Sequence, residues 1–300
     1  MGFEPTIGGY PIHAFQACAF NHSATSLHRN EAGYSGGEAG WVVRSSFLDT
    51  NLNTALQRGM HTHIPSDAPS VFIFCDHASN YVPDEFDSLG LPSSELNRHI
   101  AWDIGAATVA WELCELFGCA GLLAGVSRLV IDLNRAPDQS GLIPETSDGT
   151  VVPGNAGLSA EEVRRRRTLY YDPYHAALSK ALDARPDTFA VSVHSFTPHP
   201  HEGKPRDLDI GLLAKRDRDG GDWASAERFM AALPPELTAR INAPYSAYDL
   251  NHTVDAHVVP RGLRHLGIEI RQDHIGTDED AQGFARRIHP AIAAAMEKGP

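Results

Sequence analysis

Val71-Phe72-Ile73-Phe74-Cys75, running straight into Asp76-His77-Ala78-Ser79-Asn80, decides the fold. A short unbroken apolar run bounded by small and polar residues matches a strand buried on both faces, the pattern of a parallel sheet covered by helices. Downstream, Ser93–Phe117 carries Ile100, Ile104, Trp111 and Cys114 at helical spacing and stops at Gly118. Gly121–Leu133 reads as two short strands around Val126–Ser127. Ser159 and Glu162 form a capping box that opens a helix toward Leu182, with Arg164–Arg167 read as its solvated face. Thr188–Val193, Leu208–Ala214 and His265–Ile270 follow as strands, and a last helix runs from a Thr277 cap to about Met296. Strands alternating with helices predict a three-layer α/β/α fold with a mixed, mainly parallel central sheet, its functional loops at the strand C-termini.

Upstream the pattern changes. Met1–Ser70 holds no sustained period of 2 or 3.6, and Gly33, Gly36, Gly37 and Gly40 crowd one stretch. Residues 1–70 are expected to be an extension, mobile or loosely packed, and residues 71–300 a single α/β domain. Met60 is an alternative natural start. No chemistry is assigned to His13, His22, His28, His61 or His63.

Across all 300 residues, 42% hydrophobic and 21% charged content excludes a disordered or low-complexity chain. No stretch approaches the ~20 apolar residues of a membrane span. With 38 acidic against 25 basic residues the net charge is −13, which speaks against a nucleic-acid surface. Apart from Lys180, Lys204, Lys215 and Lys298 the basic residues are arginines, suited to gripping a small anion. Cys18, Cys75, Cys114 and Cys119 fit no metal spacing and read as thiols, and the N-terminus lacks a secretory pattern, so the expected location is cytoplasmic.

The polar residues gather at strand ends. His77 follows the first strand and His194 ends Val191-Ser192-Val193-His194, giving two imidazoles at one sheet edge, half of a zinc site. The third ligand is Asp103, an acid among apolar neighbours, or Asn80, three residues after His77; zinc prefers the carboxylate. In Ser127-Arg128-Leu129-Val130-Ile131-Asp132-Leu133-Asn134-Arg135, read as extended, Arg128, Asp132 and Asn134 share a face. Two arginines and an amide make a carboxylate clamp, unless Asp132 serves only to pair an arginine and fix the loop. Glu269 stands between Ile268 and Ile270 in a predicted central strand, so it is either paired with Arg271 or put to use as a general base.

From about Val71 onward the chain resembles the N-formylglutamate amidohydrolase family. The resemblance is carried by Asp76-His77-Ala78-Ser79-Asn80-Tyr81-Val82-Pro83, Ser127-Arg128 through Asp132-Leu133-Asn134-Arg135, Val193-His194-Ser195, Arg206 with Asp209-Ile210-Gly211, and Ile268-Glu269-Ile270-Arg271. More distantly it is similar to zinc carboxypeptidases and aspartoacylases, which implies a zinc-carboxypeptidase-like (phosphorylase/hydrolase-like) fold. It implies one zinc, or another divalent metal, on His77 and His194. Glu269 becomes the base, Arg128 a catalytic cation, and Asn134, Arg135 and Arg206 the binders of a small anionic N-acyl amino acid. A role in histidine degradation would follow. One departure stands out: the carboxypeptidase-type Glu three residues after the first His is Asn80, which leaves Asp103 or Asn80 as third ligand. Another N-acyl amino acid or small peptide as substrate, or a non-catalytic carboxylate-binding relative, are the alternative readings. His252 and His257, in an expected loop, are further site candidates.

Overall fold

In a computed structural model, which describes residues 41–42, 61–201, 203–216 and 221–297, the Val71–Cys75 run lies inside the main sheet. The strands are β1 (Trp41–Val42), β2 (His61–Ile64), β3 (Ala68–Cys75), β4 (Cys119–Ala124), β5 (Thr146–Ser147), β6 (Thr150–Val151), β7 (Phe189–Phe196), β8 (Ile210–Leu213), β9 (Ala239–Ile241) and β10 (His265–Arg271). Eight of them form one sheet in the order β1-β2-β4-β3-β7-β10-β8-β9, and β5 with β6 makes a separate pair. Within the sheet only β2–β4 and β10–β8 are antiparallel, so it is mixed and mainly parallel. Val71, Ile73, Phe74, Val191, Val193, Ile268 and Ile270 are all fully buried, as a sheet covered on both faces requires.

The helices are α1 (Ser93–Leu96), α2 (Ala106–Phe117), α3 (Ala160–Arg166), α4 (Asp172–Asp183), α5 (Gly221–Ala232) and α6 (Asp278–Met296). α2 and α5 both pack on α6, while α4 packs on the turn Val254–Val258, giving the α/β/α layering. Both predicted caps form: Ser159 Oγ accepts from Glu162 N at 3.1 Å and Thr277 Oγ1 from Asp280 N at 3.1 Å, each worth about 1 kcal/mol. No helix among the described residues is long and apolar enough to cross a membrane.

The structure departs from the sequence reading in four places. First, the sheet begins before residue 71: β2 pairs with β4 and β3 starts at Ala68. The sequence of β2, His-Thr-His-Ile, has one apolar residue and so lacks the run that marks a buried strand. Apart from β1, the rest of the segment before His61, with His13, Cys18, His22, His28 and Met60, lies outside the described residues. Second, Ser93–Phe117 is not one helix. The chain breaks between α1 and α2 at Gly105, whose φ of 76° places any Cβ 2.1 Å from the Ile275 carbonyl oxygen, so only glycine fits. Asp103 therefore sits on that break, not on a helix face.

Third, the segment after β4 is not a second strand. Val130 N and Ile131 N both bond to Ser127 O, and Ser127 Oγ caps Leu129 N, so the apolar run folds as turns satisfied from within. Fourth, Arg166 is not solvated: it is 2% exposed and donates to Val130 O at 3.1 Å, Asn155 Oδ1 at 2.7 Å and Gly154 O at 3.2 Å, bracing the same turn. Cys75, Cys114 and Cys119 are buried free thiols.

Candidate active site

Three adjacent parallel strands, β3, β7 and β10, bring their C-terminal ends together. His77 leaves the end of β3, His194 lies near the end of β7, and Glu269 is the direct register partner of His194 on β10. Residues paired across a parallel ladder face the same side of the sheet. On its other flank Glu269 pairs with Gly211 of β8, which presents no side chain. The break before α2 delivers Asp103 to the same point, held by its own N–H bonding to His77 O at 3.0 Å.

Asp103, His77 and His194 converge, with potential ligand atoms all within 4.8 Å of one another and all three residues buried. Asp103 Oδ2 is 2.9 Å from His194 Nδ1 and 3.4 Å from His77 Nδ1. His77 Nε2 lies 2.8 Å from Asp132 Oδ1, a carboxylate that can only accept, so this nitrogen carries a proton and the neutral ring offers its lone pair at Nδ1. That buried Nδ1 has no hydrogen-bond partner, nor does Asp76 Oδ2, which stands 3.6 Å from His194 Nε2. Two imidazole nitrogens and one carboxylate, one nitrogen orphaned and its ring oriented from behind, make a donor set that could hold a divalent cation.

The electrostatics point the same way. Burial alone would lower the His194 pKa, but its bond to Asp103 and the charges of Glu269, Asp103 and Asp76 outweigh that and raise it to about 9. His77 is likewise raised: burial and Arg128 are overcome by Asp132 and Asp103. Despite burial, the charges of His77 and His194 and the bond to His194 hold Asp103 well below the usual carboxylate range, and Arg128, His77 and Arg135 do so for Asp132. This nest of carboxylates favours positive charge at the two histidines. Glu269 is different. Burial pushes its carboxyl up to about 7, against the pull of His194, His77 and Arg128. It does not pair with Arg271, which bonds instead to Asp273 and Asp209 at 2.8 and 3.3 Å.

A cleft of about 120 Å³ is lined by His77, Asp103, Arg128, Asn134, Arg135, His194, Ser195, Tyr245, Leu250 and Glu269. The turn after β4 supplies its cationic wall. Arg128 and Asp132, four residues apart on that turn, pair at 2.7 Å, so Asp132 is the arginine partner as well as the support of His77. Two candidates lie elsewhere. Asn80 Nδ2 donates to Leu96 O and Asn97 Oδ1, at 3.1 and 3.0 Å, away from the histidines. Arg206 does not line the cleft; it stands behind it, donating to Tyr245 Oη at 2.9 Å with its guanidinium 4.8 Å from that ring. Sequence reasoning missed Tyr245 and Leu250. They sit on the loop after β9, seated where Gly211 lets Ala243 O approach, and only the Asn242–Pro244 turn residues hint at a shaped loop.

Comparison with known proteins places these residues in context. A family model described as N-formylglutamate amidohydrolase matches residues 69–276. The N-formylglutamate deformylase of Pseudomonas aeruginosa is 30% identical over 139 residues, 41% of this chain and 52% of that protein. The chain spans about half the length of the curated relatives it matches. Among solved structures, the gene product Atu2144 from Agrobacterium tumefaciens superposes with a TM-score of 0.74 at 31% identity, covering 80% of this chain and 95% of its own. The N-formylglutamate amidohydrolase from Ralstonia eutropha JMP134 shares the fold, with a TM-score of 0.59 at 23% identity over 79% of this chain and 97% of its own.

Proposed function

This chain belongs to the N-formylglutamate amidohydrolase family, and we propose that it hydrolyses the amide bond of N-formyl-L-glutamate or a similar N-acyl amino acid, releasing formate or the matching acid and the free amino acid. One observation carries the reading: a single cleft holds the converging His77, Asp103 and His194, the Glu269 carboxyl and the Arg128, Asn134 and Arg135 wall. His77, Asp103 and His194 would hold one divalent cation, zinc first among them. Such an ion supplies Lewis acidity, bringing the pKa of water toward ~7 and polarising a carbonyl.

The residues divide the remaining work. Glu269, with a pKa of about 7, takes the proton of the attacking water and returns it to the departing amino-acid nitrogen. Arg128 stabilises the charge that grows on the formamide oxygen, a contribution of a few kcal/mol. Asn134 and Arg135 receive the carboxylates of the glutamate moiety, the guanidinium in bidentate fashion. Arg206 acts through Tyr245, which it holds at the cleft wall. Such a substrate is small and anionic, and the cleft is of that size. The proposed setting is the cytoplasm, in histidine degradation, where Cys75, Cys114 and Cys119 stay reduced.

The test is formate release by purified protein against a panel of N-acyl amino acids, with metal analysis. We expect preference for N-formylglutamate over N-acetylglutamate, and a stoichiometric divalent metal that His194→Ala loses together with activity. Absence of turnover on the whole panel by metal-loaded protein sinks the reading, and preference for another acyl group moves the specificity to that group.

A further inference from the structure

Directly behind the clamp lies a layer of aromatic and imidazole side chains that the chemistry above does not use. His175 on α4 packs against Tyr171 with ring centroids 4.1 Å apart, and against His252 and His257 at 5.7 and 5.0 Å. Tyr171 and His257 are each delivered by a π-turn, Arg167–Tyr171 and Val254–Val258, irregularities that recur at functional sites.

The hydrogen bonds fix every proton in this layer. His175 Nε2 is 3.0 Å from Leu133 O, and a carbonyl only accepts, so Nε2 carries the hydrogen. The neutral ring then offers a lone pair at Nδ1, to which His257 Nε2 must donate across 2.7 Å. Tyr171 gives its one hydroxyl hydrogen to Arg135 O at 2.9 Å, so His252 Nε2, at 2.7 Å, must donate to the hydroxyl oxygen. Both chains end on carbonyls that flank one residue, Asn134. From the side, Thr253 N donates to Asn134 Oδ1 at 3.0 Å and Thr253 Oγ1 to Leu133 O at 3.3 Å. Burial, reinforced by its imidazole neighbours, keeps His175 neutral with a pKa of about 3, and burial lowers His252 and His257 too.

We propose that His175, His252, His257 and Tyr171 are positioning residues for substrate binding. Two ordered chains, His257 to His175 to Leu133 O and His252 to Tyr171 to Arg135 O, clamp the backbone on both sides of Asn134. They thereby aim the Asn134 and Arg135 side chains into the cleft. The proposal rests on the reading of Asn134 and Arg135 as the carboxylate clamp. Neither chain contacts His77, His194 or Glu269, and Asp132, which bonds both Asn134 N and His77, keeps its own hold on His77, so loss of a chain weakens substrate binding and spares the chemical step.

The experiment uses the metal-loaded full chain and three variants: Tyr171→Phe, which deletes one hydroxyl; His175→Leu, which deletes the donor; and His175→Gln, which keeps an N–H near the Nε2 position. KM and kcat for formate release are measured together with the calorimetric affinity for L-glutamate, the dicarboxylate product. Tyr171→Phe and His175→Leu should each raise KM and weaken glutamate binding about three- to tenfold, the worth of one hydrogen bond. Metal content should not change, and kcat should stay within about twofold of wild type. His175→Gln should recover most of the loss. Unchanged KM and glutamate affinity in Tyr171→Phe overturn the proposal, even if His175→Leu fails to fold. So does a parallel fall of kcat and metal content, which marks a merely structural layer. If the wild-type protein neither turns over N-formylglutamate nor binds glutamate, the clamp itself is misread and the proposal falls with it, a result recognisable because it precedes any variant.

Discussion

Asp132→Asn is the most informative single change, because Asp132 joins the two halves of the site. Its Oδ1 is 2.8 Å from His77 Nε2 and 2.9 Å from Asn134 N, and its Oδ2 is 2.7 Å from Arg128 Nη2 and 3.9 Å from Arg135 Nε. Asparagine keeps the shape, removes the charge and turns one oxygen into a donor facing other donors. A charge-assisted hydrogen bond contributes about 1.5–3 kcal/mol against about 0.5–1.5 for a neutral one, so weakening the bonds to His77 and Arg128 costs roughly 2–3 kcal/mol of stability. The loss stays below the ~3–5 kcal/mol of a broken, fully buried pair. Arg128 keeps Asp103 Oδ1 at 3.5 Å, and its side chain is 26% exposed. On the metal side, removing the carboxylate that orients a ligand imidazole should lower zinc affinity about 10- to 100-fold. Competition with a chromogenic chelator reads the affinity, and urea unfolding of the metal-free protein reads the stability. Zinc affinity within about twofold of wild type, in a folded variant of unchanged stability, would refute the argument that Asp132 sets the His77 tautomer.

Glu269→Gln should keep the metal and lower kcat by about 10²- to 10⁴-fold in the formate assay; near-normal turnover removes Glu269 as base. Gly211→Ala places a Cβ 2.2 Å from Ala243 O, so the loop bearing Tyr245 and Leu250 must move. The expected result is a raised KM and a loss of about 1–3 kcal/mol, and unchanged KM and melting would show the loop is not seated there. His175 titrates at about 3 in the fold against an ordinary 6.5, so the unfolded chain binds the extra proton first. Its contribution to stability is complete above about 6.5 and is lost as the pH falls toward about 3, at up to about 1.4 kcal/mol per unit. Urea melts from pH 7 to 4 should therefore be flatter for His175→Gln than for wild type; parallel curves contradict the assignment.

What could be read from the sequence was whatever a buried strand imposes on its own residues. The apolar runs of β3, β7 and β10 announce themselves, and a polar residue inside or just past such a run has few reasons to be there, which is how His77, His194 and Glu269 stand out. Asp103 was legible as an odd acid, but its helix was not real, because the break at Gly105 depends on Ile275, 170 residues away in the chain and close only in the fold. The turn at Ser127–Arg135 carries the pattern of a strand because its apolar residues are buried as deeply as a strand's; what folds it is Ser127 and the distant Arg166. Tyr245 carries no periodic mark at all. Its place depends on Arg206 and on a glycine in another strand. The hub role of Asp132 was half visible, as an arginine partner, while its contact with His77 spans 55 residues of sequence.

The pairing of Glu269 with His194 across β10 and β7 has a consequence for how this scaffold can change. Both side chains are pinned to one rung of a hydrogen-bonded ladder, and a slip of one residue would turn either of them to the opposite face of the sheet. The spacing between the Glu269 carboxyl and the His194 imidazole is thus inherited from the strand repeat and does not drift with neighbouring loops. Asn134, Arg135, Tyr245 and Leu250, by contrast, stand on turns, where insertions are thermodynamically cheap. Remodelling those turns would reshape the cleft wall while the Glu269–His194 spacing stays the same.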